Sequence, residues 1–155
     1  MSGQGISDTL FAISKNHGKM SRKGMFSPMI TAPLTVGFGG SVGLEGATVF
    51  MGSSIGSNLA RFFHLNQKTV NLMIGCATAG ALASVFHAPI GAIIFAIEIF
   101  SLDLTIASIV PMLLASSAGA ITSILIYGDD TIFKFVIQDK FSPKDLPFYI
   151  LLGLI

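Results

Sequence analysis

Gly37-Phe38-Gly39-Gly40-Ser41-Val42-Gly43-Leu44-Glu45-Gly46 places five glycines and one glutamate between apolar segments. Upstream, no charged residue falls between Lys23 and Glu45. Downstream, Glu98 alone interrupts the stretch from Lys68 to Asp103, and residues 104–128 carry no charge. A helix crossing the hydrocarbon core needs ~20 predominantly apolar residues, and all three stretches reach that length. A buried core helix is also apolar all round. Three such segments in 155 residues, however, leave too little polar surface to cover them. The glycine run therefore lies at membrane depth, and the solvent for much of the surface is lipid.

Composition points the same way. Hydrophobic residues make up 52% of the chain and charged ones 11%, against about 25% charged in a soluble domain; mean hydropathy is +0.76. A net charge of +1 excludes the basic footprint of a nucleic-acid binder. Lys15, Lys19, Arg22 and Lys23 cluster just before the first apolar stretch, as on a cytoplasmic flank. Residues 1–11 lack the basic and apolar regions of a signal peptide. The single cysteine, Cys76, forms no internal disulfide and reads as a small buried hydrophobe.

Along the chain, Ser7-Asp8 is expected to cap a short helix through Leu10, Phe11 and Ile13. Residues 27–36 read as a membrane helix with Pro28 near its start and Pro33 as a kink. A new helix is expected over residues 46–63, with a stripe of small residues at Gly52, Gly56 and Ala60 that admits a close neighbour. Asn66, Gln67 and Lys68 read as a polar turn, and residues 69–86 as a further helix. His87-Ala88-Pro89 breaks it, and Pro89 opens a short helix ending near Ile99. Residues 106–127 form a long span with Pro111 in its early turns. Residues 128–147 hold Asp129, Asp130, Asp139 and Asp145, half of all acidic residues, and read as an aqueous loop. An apolar segment starts at Phe148, too short by Ile155 to span, so the sequence is expected to be incomplete.

Irregular backbone at membrane depth is tolerated only inside protein or along a polar cavity, because lipid cannot satisfy its N–H groups. The glycine run precedes a helix whose first N–H groups are unpaired and whose dipole is positive at that end. Such a terminus suits an anion, and broken helices turned toward a midplane anion are a transporter device. Glu45 lies at the same terminus, and an ionisable residue in the membrane is a functional candidate. One reading is competition: the carboxylate fills the anion site when deprotonated and leaves it when protonated. The alternative is a carboxylate that only caps the helix. Gly37, Gly39 and Gly43 also approach G-x-G-x-x-G, but the last glycine comes one residue late and no βαβ unit surrounds it. The three histidines and Cys76 lack ligand spacing, so no metal is expected. No cofactor is implied, and no catalytic set is placed by spacing, so the chain does not read as an enzyme.

Gly43-Leu44-Glu45-Gly46-Ala47, following Gly39-Gly40, resembles the G-[KR]-E-G-P signature of the CLC chloride channels and transporters. Ala79-Gly80-Ala81 through Phe86-His87-Ala88-Pro89 to Phe95-Ala96-Ile97-Glu98 resembles that family's A-G-x-x-A-x-x-F-x-A-P…F-x-x-E block. The resemblance runs from about Gly3 to Ile155. It implies an all-α, polytopic membrane fold of broken and partially spanning helices, in which residues 1–155 are part of one transmembrane domain incomplete at both ends. It further implies a homodimer in the lipid bilayer, in the cell inner or plasma membrane, with one anion pathway per subunit. Glu45 becomes the gating glutamate, with anion contacts at Gly43, Leu44, Gly46 and Ala47. The family's G-S-G-I-P loop falls on Gly3-Gln4-Gly5-Ile6-Ser7, which adds Gln4, Gly5 and Ile6 to the anion-binding set.

Departures from the pattern matter. Gln4 replaces the serine that helps choose the anion, so nitrate or another small anion stands beside chloride. Leu44 and Ala47 replace the usual basic residue and proline. Proton-coupled members carry a second glutamate directly after the position of Glu98, where this chain has Ile99. An aliphatic side chain cannot relay a proton, so a passive channel is expected. Glu98 reads either as a proton-path residue or as a helix-end carboxylate facing a vestibule. A proton-coupled antiporter on the same fold and an inactive truncated fragment are the alternatives.

Overall fold

A computed structural model describes residues 5–41, 43–102, 105–128 and 146–153, and these are helical with short connections and no strand. Helix α1 (Ile6–Lys15) leads through a 3-10 turn (Arg22–Met25) to α2 (Ser27–Gly37) and α3 (Leu44–Phe62). Helices α4 (Gln67–Phe86), α5 (Pro89–Phe100), α6 (Ile106–Tyr127) and α7 (Leu146–Gly153) follow. The all-α, broken-helix architecture expected from the sequence is what the chain adopts.

Helix α4 is the hub, packed by α3, α5 and α6. Small residues make this possible. A Cβ on Gly56 would lie 2.5 Å from the Met73 carbonyl oxygen and 2.9 Å from Ala77 Cβ, and one on Gly52 would lie 2.9 Å from the Ala77 oxygen. On α4, Gly80 faces α6: a Cβ there would sit 3.1 Å from the Ala115 oxygen, while Gly119 of α6 lies directly against Gly80. Packing of this kind lets backbones approach where no hydrophobic force drives helices together. Gly75 is covered by Leu102. The glycine faces thus find partners within the chain itself, rather than waiting on helices outside it.

The interior mixes Val49, Ile74, Leu82, Ile93 and Met112 with hydroxyls at Thr48, Ser53, Ser57, Thr78 and Ser116. The outside is apolar: on α6, Leu114, Ile121 and Leu125 are all exposed. Water would not tolerate such a face on a monomer of this size, whereas lipid or a protein neighbour does.

Several local expectations are corrected. Helix α1 starts at Ile6 with Gly5 as N-cap, and neither Ser7 nor Asp8 caps it, because both lie inside the first turn. The charge-free stretch before Glu45 holds no spanning helix. Helix α2 has 11 residues, roughly 16 Å at ~1.5 Å per residue, about half the hydrocarbon core. Its end is set by Gly39 at φ +82°, with Gly40 N–H donating to the Thr35 carbonyl at 2.8 Å and Gly39 N–H to that of Val36 at 2.9 Å. That is the Schellman pattern, which needs a residue free to turn left-handed. Two helices, α4 and α6, are long and apolar enough to cross a membrane among the described residues.

Helix α4 begins at Gln67, so Gln67 and Lys68 belong to its first turn; Asn66 caps it, accepting from Thr69 N–H at 2.9 Å. The break at His87-Ala88-Pro89 is present, with His87 at φ 52° and Pro89 in the first turn of α5. Of the acidic stretch 128–147, Leu146 and Pro147 are helical, while residues 129–145 lie outside the described residues.

Candidate functional site

Helix α3 starts two residues earlier than its sequence suggests, at Leu44, with Gly43 as N-cap at φ −69° and ψ 126°. Glu45 is therefore inside the first helical turn instead of preceding it. The N–H groups of Leu44, Glu45 and Gly46 have no helical carbonyl one turn behind them. Ala47 is the first residue that does, the carbonyl of Gly43 lying four positions back. No side chain caps this terminus, and the glycine turn at Gly39-Gly40 leaves it uncovered by α2's own ladder.

Around this turn the side chains diverge. Glu45 is exposed and borders a cavity of about 200 Å³ whose other walls are Leu82 and Phe86 of α4 and Ala88, Gly91, Ala92 and Phe95 at the start of α5. The two motifs read separately in the sequence are thereby brought to one place. Leu44 and Ala47 instead face α2, lining a second cavity of about 390 Å³ with Pro28, Met29, Pro33 and Val36. The turn carrying Glu45 stands between the two.

The remaining candidates are more scattered. Gly5 is the extended N-cap of α1, and Ile6 packs on the main core cluster; neither lines the Glu45 cavity. Gln4 lies outside the described residues. Glu98 is exposed near the far end of α5, and Ile99 is half-buried against the core. Glu98 lies seven positions after Gly91, roughly 10 Å of helix at ~1.5 Å per residue, so α5 runs from the Glu45 cavity to Glu98.

One feature of the wall escapes sequence reasoning. His87 sits in the left-handed region, and its Nε2 meets Ser123 Oγ of α6 at 3.3 Å while Nδ1 is buried with no hydrogen-bond partner. This contact ties the α4–α5 break, and so the cavity wall, to α6. His87 reads as a loop residue in sequence because its partner lies 36 positions away.

Short helices broken at glycine and proline, with an apolar exterior, define an all-α membrane protein of broken helices. The chain belongs to the family described as voltage gated chloride channel, which it matches over residues 1–155. Over 150 residues it is 28% identical to the voltage-gated ClC-type chloride channel ClcB of Yersinia pestis, covering 95% of this chain and 36% of that protein. It is 30% identical over 121 residues to the H(+)/Cl(-) exchange transporter ClcA of Vibrio cholerae, covering 76% and 26%. Chloride channel protein CLC-e of Arabidopsis thaliana is 29% identical over 137 residues, covering 83% and 19%. The chain thus spans a fifth to about a third of these relatives. No solved structure matches it.

Proposed function

We propose that this chain contributes one wall and the gate of a pathway for chloride or a similar small anion, in a homodimer in the cell inner or plasma membrane. The observation that carries the reading is the first turn of α3: N–H groups of Leu44, Glu45 and Gly46 with no intrahelical partner and no side-chain cap, a positive helix end, and the Glu45 carboxylate beside a cavity shared with α5. The carboxylate and a permeating anion want the same donors. Deprotonated, Glu45 competes for them; protonated, it yields them. Gly43 and Ala47 flank this turn, and Gly5 and Ile6 at the start of α1, with Gln4 preceding them in the sequence, are the second stretch we assign to the anion. Family membership supports anion transport as the class of activity.

Relatives named as channels and as exchangers both align with the chain. Ile99, packed and aliphatic beside Glu98, favours passive conduction over proton coupling. Chloride efflux from liposomes holding the full-length protein, measured with and without an imposed pH gradient, tests both parts: no chloride-selective flux would sink the reading.

A further inference from the structure

We infer that the cavity between α1, the 3-10 turn and α3 is a binding site for the headgroup of an aminophospholipid. The cavity measures about 340 Å³. Its floor is apolar, built by the buried Met20 and Phe50, and the exposed Phe11 stands at its edge with Lys19, Lys23, Ser21 and Asp8. Groups of both charge signs thus ring one hollow, and among the described residues none of Asp8, Lys19 and Lys23 is in an ion pair.

The loop that carries the rim is held in place by its backbone. Met20 N–H donates to Ser57 Oγ at 3.1 Å, Ser57 Oγ donates to the Gly18 carbonyl at 2.5 Å, and Arg61 donates to the Met20 carbonyl at 2.6 Å. Asn16 Nδ2 donates to the Lys19 carbonyl at 3.1 Å. Gly24 lets the loop press on α3, since a Cβ there would meet Ser54 Oγ at 2.5 Å and the Phe50 ring at 3.0 Å. The loop backbone is pinned this way, and the exposed Lys19 and Lys23 side chains are what binding would order.

The chemistry selects the ligand. Two ammonium groups suit a phosphate, and Ser21 Oγ already accepts from Lys23 N–H at 3.3 Å, which leaves its O–H to donate to the same oxygen atoms. Asp8 then suits a positively charged amine a few atoms away. A phosphate joined to a primary amine is the polar end of phosphatidylethanolamine, and the apolar floor suits the glycerol and first methylenes behind it. A basic segment beside membrane helices is drawn to the lipid headgroups. The inference is independent of the role of Glu45.

Native mass spectrometry of delipidated full-length protein, titrated with phosphatidylethanolamine, phosphatidylcholine or phosphatidylglycerol, tests it. Phosphatidylethanolamine is expected to be retained over both others. Lys19→Gln with Lys23→Gln should weaken all three about thirtyfold, and Asp8→Asn should erase the preference for the amine while keeping phosphate-dependent binding. All three side chains are at the rim, and a thermal-stability trace on each variant confirms that the fold persists. Equal retention of the three lipids, or an unchanged preference in Asp8→Asn, would overturn the inference. So would equal weakening by Lys15→Gln, which would assign binding to the basic cluster at large. Displacement by soluble phosphoethanolamine at matched concentration would assign the site to a free phosphate compound instead of lipid.

Discussion

The hydroxyls of Ser53 on α3 and Thr78 on α4 lie 2.8 Å apart, both fully buried. They join the two helices at the level where Gly52 and Gly56 bring the backbones close. Ser53→Ala is expected to destabilise the protein by about 1 kcal/mol or less, since hydrogen bonds between membrane helices average ~0.6 kcal/mol. A double-mutant cycle with Thr78→Val, read by denaturation in mixed micelles, measures the coupling. Strictly additive losses would mean that the contact contributes nothing.

Gly56→Leu should be far more damaging. Its Cβ alone would meet the Met73 carbonyl oxygen at 2.5 Å and Ile74 Cα at 3.0 Å, and neither is a flexible side-chain end. Overpacking of a filled interior costs ~1–3 kcal/mol or more. Gly37→Ala, where a Cβ meets nothing within 4 Å, is the control and should be near neutral. Thermal aggregation in detergent separates the two, and equal behaviour would contradict the close approach of α3 and α4.

Glu45→Gln should leave an anion pathway that conducts without responding to pH. In the native protein, acid protonates the carboxylate and vacates the helix terminus, so chloride flux should rise as pH falls. The amide mimics the protonated carboxyl at every pH, and its flux should stay flat at the acid-pH level. Chloride efflux from liposomes over several pH values reads this directly. Retained pH dependence in the variant would remove Glu45 from the gate.

Ile99 predicts uncoupled transport. Its side chain is aliphatic and half-buried against the core, so nothing at that position titrates. A chloride gradient imposed on liposomes with the full-length protein should drive no stoichiometric proton movement. Sustained uphill proton pumping would promote the exchanger reading and turn attention to Glu98.

Much of the fold is legible along the chain because helices are local objects. Residues 106–127 read as one apolar span, and α6 has those bounds. The break at His87-Ala88-Pro89 is equally readable, since proline cannot continue a helix ladder and favours a first turn. Composition and the motif around Glu45 settle that the chain is a membrane protein of broken helices. Where local signals mislead, the reason is physical. Absence of charge over 24–44 says nothing about continuity, and a left-handed glycine ended α2 at half the span. Ser7-Asp8 resembles a cap, but the helix extends one residue beyond it to Ile6.

What the tertiary structure alone decided is which residues share a space. Glu45 faces Phe86, Ala88 and Phe95, while its neighbours Leu44 and Ala47 turn to α2. His87 finds Ser123, and Asp8, Lys19 and Lys23 line one hollow without pairing. Helix bounds follow from hydrogen bonds four residues apart, which residue type at each position governs. Partnerships between residues tens of positions apart depend on how glycine and alanine faces let whole helices dock, and that geometry is settled only when α3, α5 and α6 close on α4.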